Sequence, residues 1–166
     1  MSDAFFQPER LHSLRSRNSA AYKAINILIL REGAKDWFWN ATIQELDAQQ
    51  ELALDIHHIF PRKWCDERNL NRDIYDSILN KTSISYKANR KIGGDAPSVY
   101  LPKIQNEKQV GLADEEMDKL LASHSLSPEL LRADDFDGFI ADRRNQLIGL
   151  ITKAMGKEVE EQGEYE

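Results

Sequence analysis

The chain has 166 residues, of which 41% are hydrophobic, and a formal net charge of −6. That suffices for one domain with an adequate core, the charge argues against a stand-alone nucleic-acid binder, and no apolar run nears the roughly 20 residues of a membrane span. The one cysteine, Cys65, excludes an internal disulfide and lacks the Cys-x-x-Cys of a zinc ribbon. With no apolar segment after Met1-Ser2-Asp3, this fits a reducing, cytoplasmic setting away from the membrane.

In chain order, residues 1–17 read as a polar, flexible lead-in. Asn18 or Ser19 can cap a helix to about Arg31, along which Ala21, Ala24, Ile25, Leu28 and Ile29 recur at helical spacing. Gly33 stands where a helix end wants a positive φ. Trp37-Phe38-Trp39 reads as a core anchor, with a base-stacking surface as the alternative. Residues 43–51 are polar and ambiguous, compatible with a short helix. Leu52 to His58 alternates as a half-buried strand, with Leu52, Leu54 and Ile56 on one side and Asp55 and His57 on the other.

Pro61 can open a helix over 61–68, and Asn71 or Asp73 marks a turn. The apolar Ile74, Ile78 and Leu79 have no assignable element. Thr82 to Ser85 is a second strand, and Ser85 can cap a helix bearing Lys87, Asn89 and Arg90 that ends at Gly93-Gly94. Asp95 to Ser98 opens another helix, which Pro102 limits. Residues 112–123 form a helix with Leu112, Met117, Leu120 and Leu121 inward, and Ser127-Pro128 starts the next. Asp134 or Asp135 caps the longest helix, 135–155, whose Phe136, Phe139, Ile140, Leu147, Ile148, Ile151 and Met155 form an apolar stripe. Residues 156–166 read as an acidic, disordered tail. The expected fold is therefore α+β: a single mostly helical domain over 18–155 enclosing a small strand–strand–helix core at about 52–95.

Charge is uneven along the chain. Residues 57–103 hold nine Lys/Arg against five Asp/Glu (+4), residues 1–56 six against eight (−2), and residues 104–166 seven against fifteen (−8). The basic centre coincides with the stretch richest in chemistry: Asp55, the adjacent His57 and His58, then Asn80 and Asn89. Hydrolysis of a phosphodiester needs a base for water, a cation for the charge on the phosphorane, and a frame that fixes both. Neighbouring histidines at a strand end can divide these tasks because they point to opposite sides. One can ligate a metal while the other faces substrate, and Asn89 can add an amide oxygen from the following helix. Magnesium suits such an oxygen-rich open site, and an imidazole ligand extends tolerance to manganese, nickel or zinc. Arg62, Lys63, Lys81, Arg90 and Lys91 are candidate phosphate contacts. His12 and His124 have no such context.

His57-His58-Ile59-Phe60-Pro61, with Asn80-Lys81 and Asn89-Arg90, resembles the HNH (ββα-metal) nuclease motif, in the variant with Asn at the third position. The resemblance implies His58 as general base, His57 and Asn89 as metal ligands with Asp55 as a further candidate, and Asn80 as the residue fixing the loop and base. Gly33-Ala34-Lys35-Asp36-Trp37, the run 92–101, Asp134-Asp135-Phe136 and Arg143-Arg144 widen it to about residues 18–157. There the chain is similar to the C-terminal region of bacterial proteins that join a ParB-like nucleotide-hydrolysing domain to an HNH region, related to modification-dependent restriction systems of the GmrSD kind. The implied activity is a Mg²⁺-dependent endonuclease acting on DNA in anti-phage defence, with a ParB-like domain or subunit as partner. The alternative is a non-catalytic module for DNA binding or assembly.

Overall fold

Two short strands and nine α-helices make up the regular structure of the computed structural model, which describes residues 6–48 and 54–156. The strands, β1 (Leu54–His58) and β2 (Lys81–Ser85), pair antiparallel with His57 opposite Thr82 and His58 opposite Lys81. Between them lie α3 (Arg62–Glu67), α4 (Arg72–Tyr75) and a 3-10 turn at Ile78–Asn80; before them come α1 (Ala20–Arg31) and α2 (Ile43–Ala48). After β2 follow α5 (Tyr86–Ile92), α6 (Pro97–Gln105), α7 (Asp114–Ser123), α8 (Pro128–Arg132) and α9 (Phe136–Met155). The architecture is thus α+β, and among the described residues no helix is long and apolar enough to cross a membrane.

Local chemistry accounts for the helix ends. Ser19 accepts the Tyr22 N–H at the start of α1, Asn71 that of Asp73 at α4, Ser85 that of Ala88 at α5, and Asp135 that of Gly138 at α9. Each side-chain oxygen satisfies an amide that the helix itself leaves unpaired. Asp134 does a different job. At φ 54° its carboxylate reaches across to the Ser98 N–H at 2.9 Å and the Ser98 hydroxyl at 2.6 Å, capping α6 from another part of the chain. α6 runs on through Pro102 to Gln105, although that residue has no N–H to give.

One apolar core joins all of this. Phe60 is fully buried, with Trp64, Phe136 and Phe139 at ring-centroid distances of 5.0, 5.3 and 5.2 Å, so the loop after β1 is nailed to α9. Burying such a ring is worth roughly 2–3 kcal/mol. Trp37 stacks on Tyr100 at 6.2 Å, tying the segment after α1 to α6.

Three expectations are corrected. The lead-in is not loose from Pro8 onward: Pro8–His12 form a 3-10 turn, Leu11 is fully buried, and the Leu14 carbonyl accepts the Ile78 N–H at 2.8 Å. Trp39 does not join Trp37 and Phe38 in the core but is 40% exposed. Met155 is likewise exposed, one turn beyond where the core ends at Ile151. Leu52 and the tail from Lys157 onward lie outside the described residues.

Candidate functional site

Directly opposed residues of an antiparallel pair share a face, so the register separates the two histidines. His58 lies with Lys81. Its Nε2 is 2.9 Å from Asp76 Oδ1, which Lys81 Nζ also meets at 3.1 Å. Tyr75 stands edge-on to the His58 ring at 6.3 Å and donates its hydroxyl to Asp66 Oδ1 at 2.5 Å. With Nε2–H donated to the carboxylate, Nδ1 is the basic nitrogen of His58. Burial pushes the His58 pKa down, against the opposing pull of Asp76, so the ring is neutral near pH 7. For Asp76, burial works upward, but the hydrogen bonds from His58 and Lys81 outweigh it and the carboxyl stays below its ordinary range.

His57 occupies the other face with Asp55, whose Oδ2 is 3.9 Å from Nε2. The Nε2 atom is buried and has no hydrogen-bond partner among the described residues, an uncommon state for an imidazole nitrogen. Burial lowers the His57 pKa, with the Asp55 charge opposing, which leaves the lone pair available. Asp55 itself is shared with Arg17 at 3.2 Å and the Ile56 N–H at 2.8 Å. Asn89 projects from α5, which packs against both strands, and is half-buried. An imidazole nitrogen beside a carboxylate is donor chemistry that a divalent cation can use. Among the described residues there is no group of three or more His, Cys, Asp or Glu side chains that could close a shell around it.

Asn80 is fully buried and touches no solvent. Its Oδ1 accepts the Phe60 N–H at 2.8 Å, and its Nδ2 donates to the carbonyls of Phe60 and Tyr75, both at 2.9 Å. Its own carbonyl accepts the Ile59 N–H at 2.8 Å. One amide thereby clamps the loop after His58 to the end of α4, next to Asp76. Asn80 is accordingly a positioning residue rather than one that meets substrate.

The five expected phosphate contacts divide. Lys81 is only 13% exposed and directed at Asp76, so it serves the His58 side of the sheet instead of solvent. Arg62 and Lys63 face solvent in loose pairs with Asp66 at 3.7 Å and Glu67 at 3.9 Å, worth only a few tenths of a kcal/mol and readily exchanged. Lys91 is paired with Glu107. Arg90 lies over the Tyr86 ring at 5.6 Å and is in no ion pair among the described residues.

Sequence reasoning missed Asp76, whose only signal was an acid four residues before Asn80. It also missed the frame behind the sheet. Asp36 is buried and accepts from the Ser85 N–H at 2.5 Å and hydroxyl at 2.9 Å, fixing the junction of β2 and α5. His124, given no role, is fully buried. It bonds Thr82 Oγ1 through Nδ1 at 2.7 Å and donates from Nε2 to the Lys35 carbonyl at 2.6 Å. Arg143, also fully buried, donates to the carbonyls of His124, Ser125 (2.9 Å) and Lys81 (3.4 Å).

Comparison with known proteins adds one relative. The chain is 29% identical over 125 residues, 72% of its length, to an uncharacterized protein of Methanocaldococcus jannaschii. It spans about a fifth of that protein's length. No family model and no solved structure matches.

Proposed function

We propose that this chain is a metal-dependent endonuclease of the HNH (ββα-metal) type that hydrolyses phosphodiester bonds of DNA. The observation carrying this reading is the His57–His58 pair at the end of β1. One ring is held by Asp76 through Nε2; the other has a buried nitrogen with no hydrogen-bond partner among the described residues. A strand pair followed directly by a helix bearing Asn89 supports the same reading.

His58 Nδ1 takes the proton of the attacking water, and Asp76 holds the ring in that tautomer and steadies the imidazolium that forms. Asn80 keeps the His58 loop in place. His57 and Asn89, with Asp55 nearby, would hold a divalent cation such as Mg²⁺ or Mn²⁺, which supplies charge stabilisation at the phosphate. Arg62, Lys63 and Arg90 meet the flanking phosphates. The resemblance to ParB-like/HNH proteins extends the proposal to a role in restriction or anti-phage defence, in the cytoplasm, with target choice delegated to a ParB-like partner.

The test is nicking of supercoiled plasmid with Mg²⁺ and with Mn²⁺. The wild-type chain should give open circles, and His58→Ala should slow this by about 10²–10⁴-fold. No nicking with either metal, or nicking by His58→Ala at the wild-type rate, would overturn the reading.

A further inference from the structure

The exposed face of α5 carries Tyr86 and Lys87, which the hydrolytic site does not use, beside Arg90, which it shares. Successive helical residues turn by about 100°. Ala88 and Ile92 therefore fall on the buried side, and Tyr86, Lys87 and Arg90 form one continuous outer face. Asn89 borders that face, three residues after Tyr86. Tyr86 is 54% exposed, with the Arg90 guanidinium 5.6 Å from its ring centroid. Lys87 Nζ lies 4.4 Å from the Trp39 centroid and 4.8 Å from that of Phe38, and also meets Gln109 Oε1 at 3.0 Å. Trp39 is 40% exposed, although Trp37 and Phe38 beside it are in the core. Neither Lys87 nor Arg90 is in an ion pair among the described residues.

Two exposed rings, each with an uncompensated cation on it, call for a ligand that is both flat and anionic. Bases joined by phosphates meet both demands, provided the bases are unstacked from a complement. A duplex offers only its backbone to such a face. An apolar protein partner would leave both cations desolvated without a counter-charge.

We propose that Trp39 and Tyr86, flanked by Lys87 and Arg90, form a stacking platform for unpaired bases. The nucleic acid taken by the neighbouring site would then contain a single-stranded stretch. The inference rests on the nuclease reading for what lies next to the platform, but binding itself needs neither metal nor cleavage.

The experiment is fluorescence anisotropy in EDTA, with a labelled 20-nucleotide DNA single strand of mixed sequence and the blunt duplex made from it. Trp39→Ala and Tyr86→Ala should each weaken single-strand binding by about ten-fold and change duplex binding less than two-fold. Trp39→Phe and Tyr86→Phe should retain most of the affinity. Both rings are exposed, so urea denaturation should show the variants folded. As an independent readout, single strand should quench wild-type tryptophan emission and not that of Trp39→Phe, since Trp37 and Trp64 are buried. Unchanged single-strand affinity in both alanine variants, or equal losses for single strand and duplex, would overturn the platform. Ring-dependent binding without plasmid nicking would leave the platform standing and sink the nuclease reading; nicking without ring-dependent binding would do the reverse.

Discussion

His58 and Asp76 act as a unit because neither is placed by its neighbours in sequence. β1 delivers the imidazole, the turn after α4 delivers the carboxylate, and the 2.9 Å contact sets which ring nitrogen is basic. On the proposed mechanism, a carboxylate in that position would contribute to the transition state, where the imidazole becomes charged, far more than to the ground state. Asp76→Asn should therefore lower kcat on the order of ten- to a hundred-fold with KM changed less than two-fold. Steady-state kinetics on a short fluorogenic DNA substrate separates the two constants. A rise in KM at constant kcat would assign Asp76 to substrate binding.

Elements are held to one another here by single buried polar residues. Asn80 satisfies one amide and two carbonyls of the loops around it; Asn80→Ala would remove its bonds to the Phe60 N–H and the Tyr75 carbonyl, and leave the Phe60 carbonyl with only the weak Cys65 thiol donor at 3.6 Å. At about 1–3 kcal/mol for each unsatisfied group, partly relieved by relaxation, the loss should be about 3 kcal/mol in urea denaturation. Activity should fall along with stability, because the same loop carries the His58 ring. His124 does the equivalent work between α7, β2 and the Lys35 carbonyl. Burial holds its pKa down to about 4, against an ordinary 6.5, so the folded protein keeps the ring neutral. The sign follows. Its stabilising effect is complete above pH 6.5. As pH falls below that value the unfolded chain takes up a proton that the folded one refuses, and stability is lost progressively down to about pH 4. The full span is on the order of 3 kcal/mol. Urea midpoints at pH 7.5, 6 and 5 should fall in that order, and His124→Gln, though less stable at pH 7.5, should show a shallower decline.

For the whole molecule, the basic centre and acidic remainder permit few phosphate contacts. Of the nine Lys/Arg in residues 57–103, several are already committed: Lys81 to Asp76, Lys91 to Glu107 and Lys103 to Asp95. With about two or three phosphates neutralised, DNA affinity should fall roughly ten- to forty-fold between ~50 and ~200 mM salt. Phosphate contacts carry no base identity, and in the Arg143-Arg144-Asn145-Gln146 run of α9 Arg143 is fully buried on backbone carbonyls and Gln146 is bonded to Asp142, so the run is not presented as a reader of base edges. Cleavage mapping on a mixed DNA library, with and without modified cytosine, should accordingly return no sharp motif from this chain alone. A defined motif would place recognition within these 166 residues.

What the sequence determined by itself was local. The caps Ser19, Ser85 and Asp135, the turn at Gly33 (φ 85°) and the alternation at Ile56–His58 act within a few residues of themselves, so α1, α5, α9 and the strand pair were legible, while the 3-10 turns at Pro8–His12 and Ile78–Asn80 and helix α4 were not. The adjacent histidines were legible for the same reason: strand geometry separates their faces wherever the strand goes. Partnership across the chain, by contrast, came from the packing. Asp76 reaches His58 over 18 residues, Asp36 reaches Ser85 over 49, His124 reaches Lys35 over 89, and Arg143 reaches the Lys81 carbonyl over 62. No periodicity encodes those pairings. Nor does composition distinguish Trp37, fully buried, from Trp39, left at the surface, because which indole finds the core depends on where Tyr100 of α6 and His124 at the end of α7 close over it.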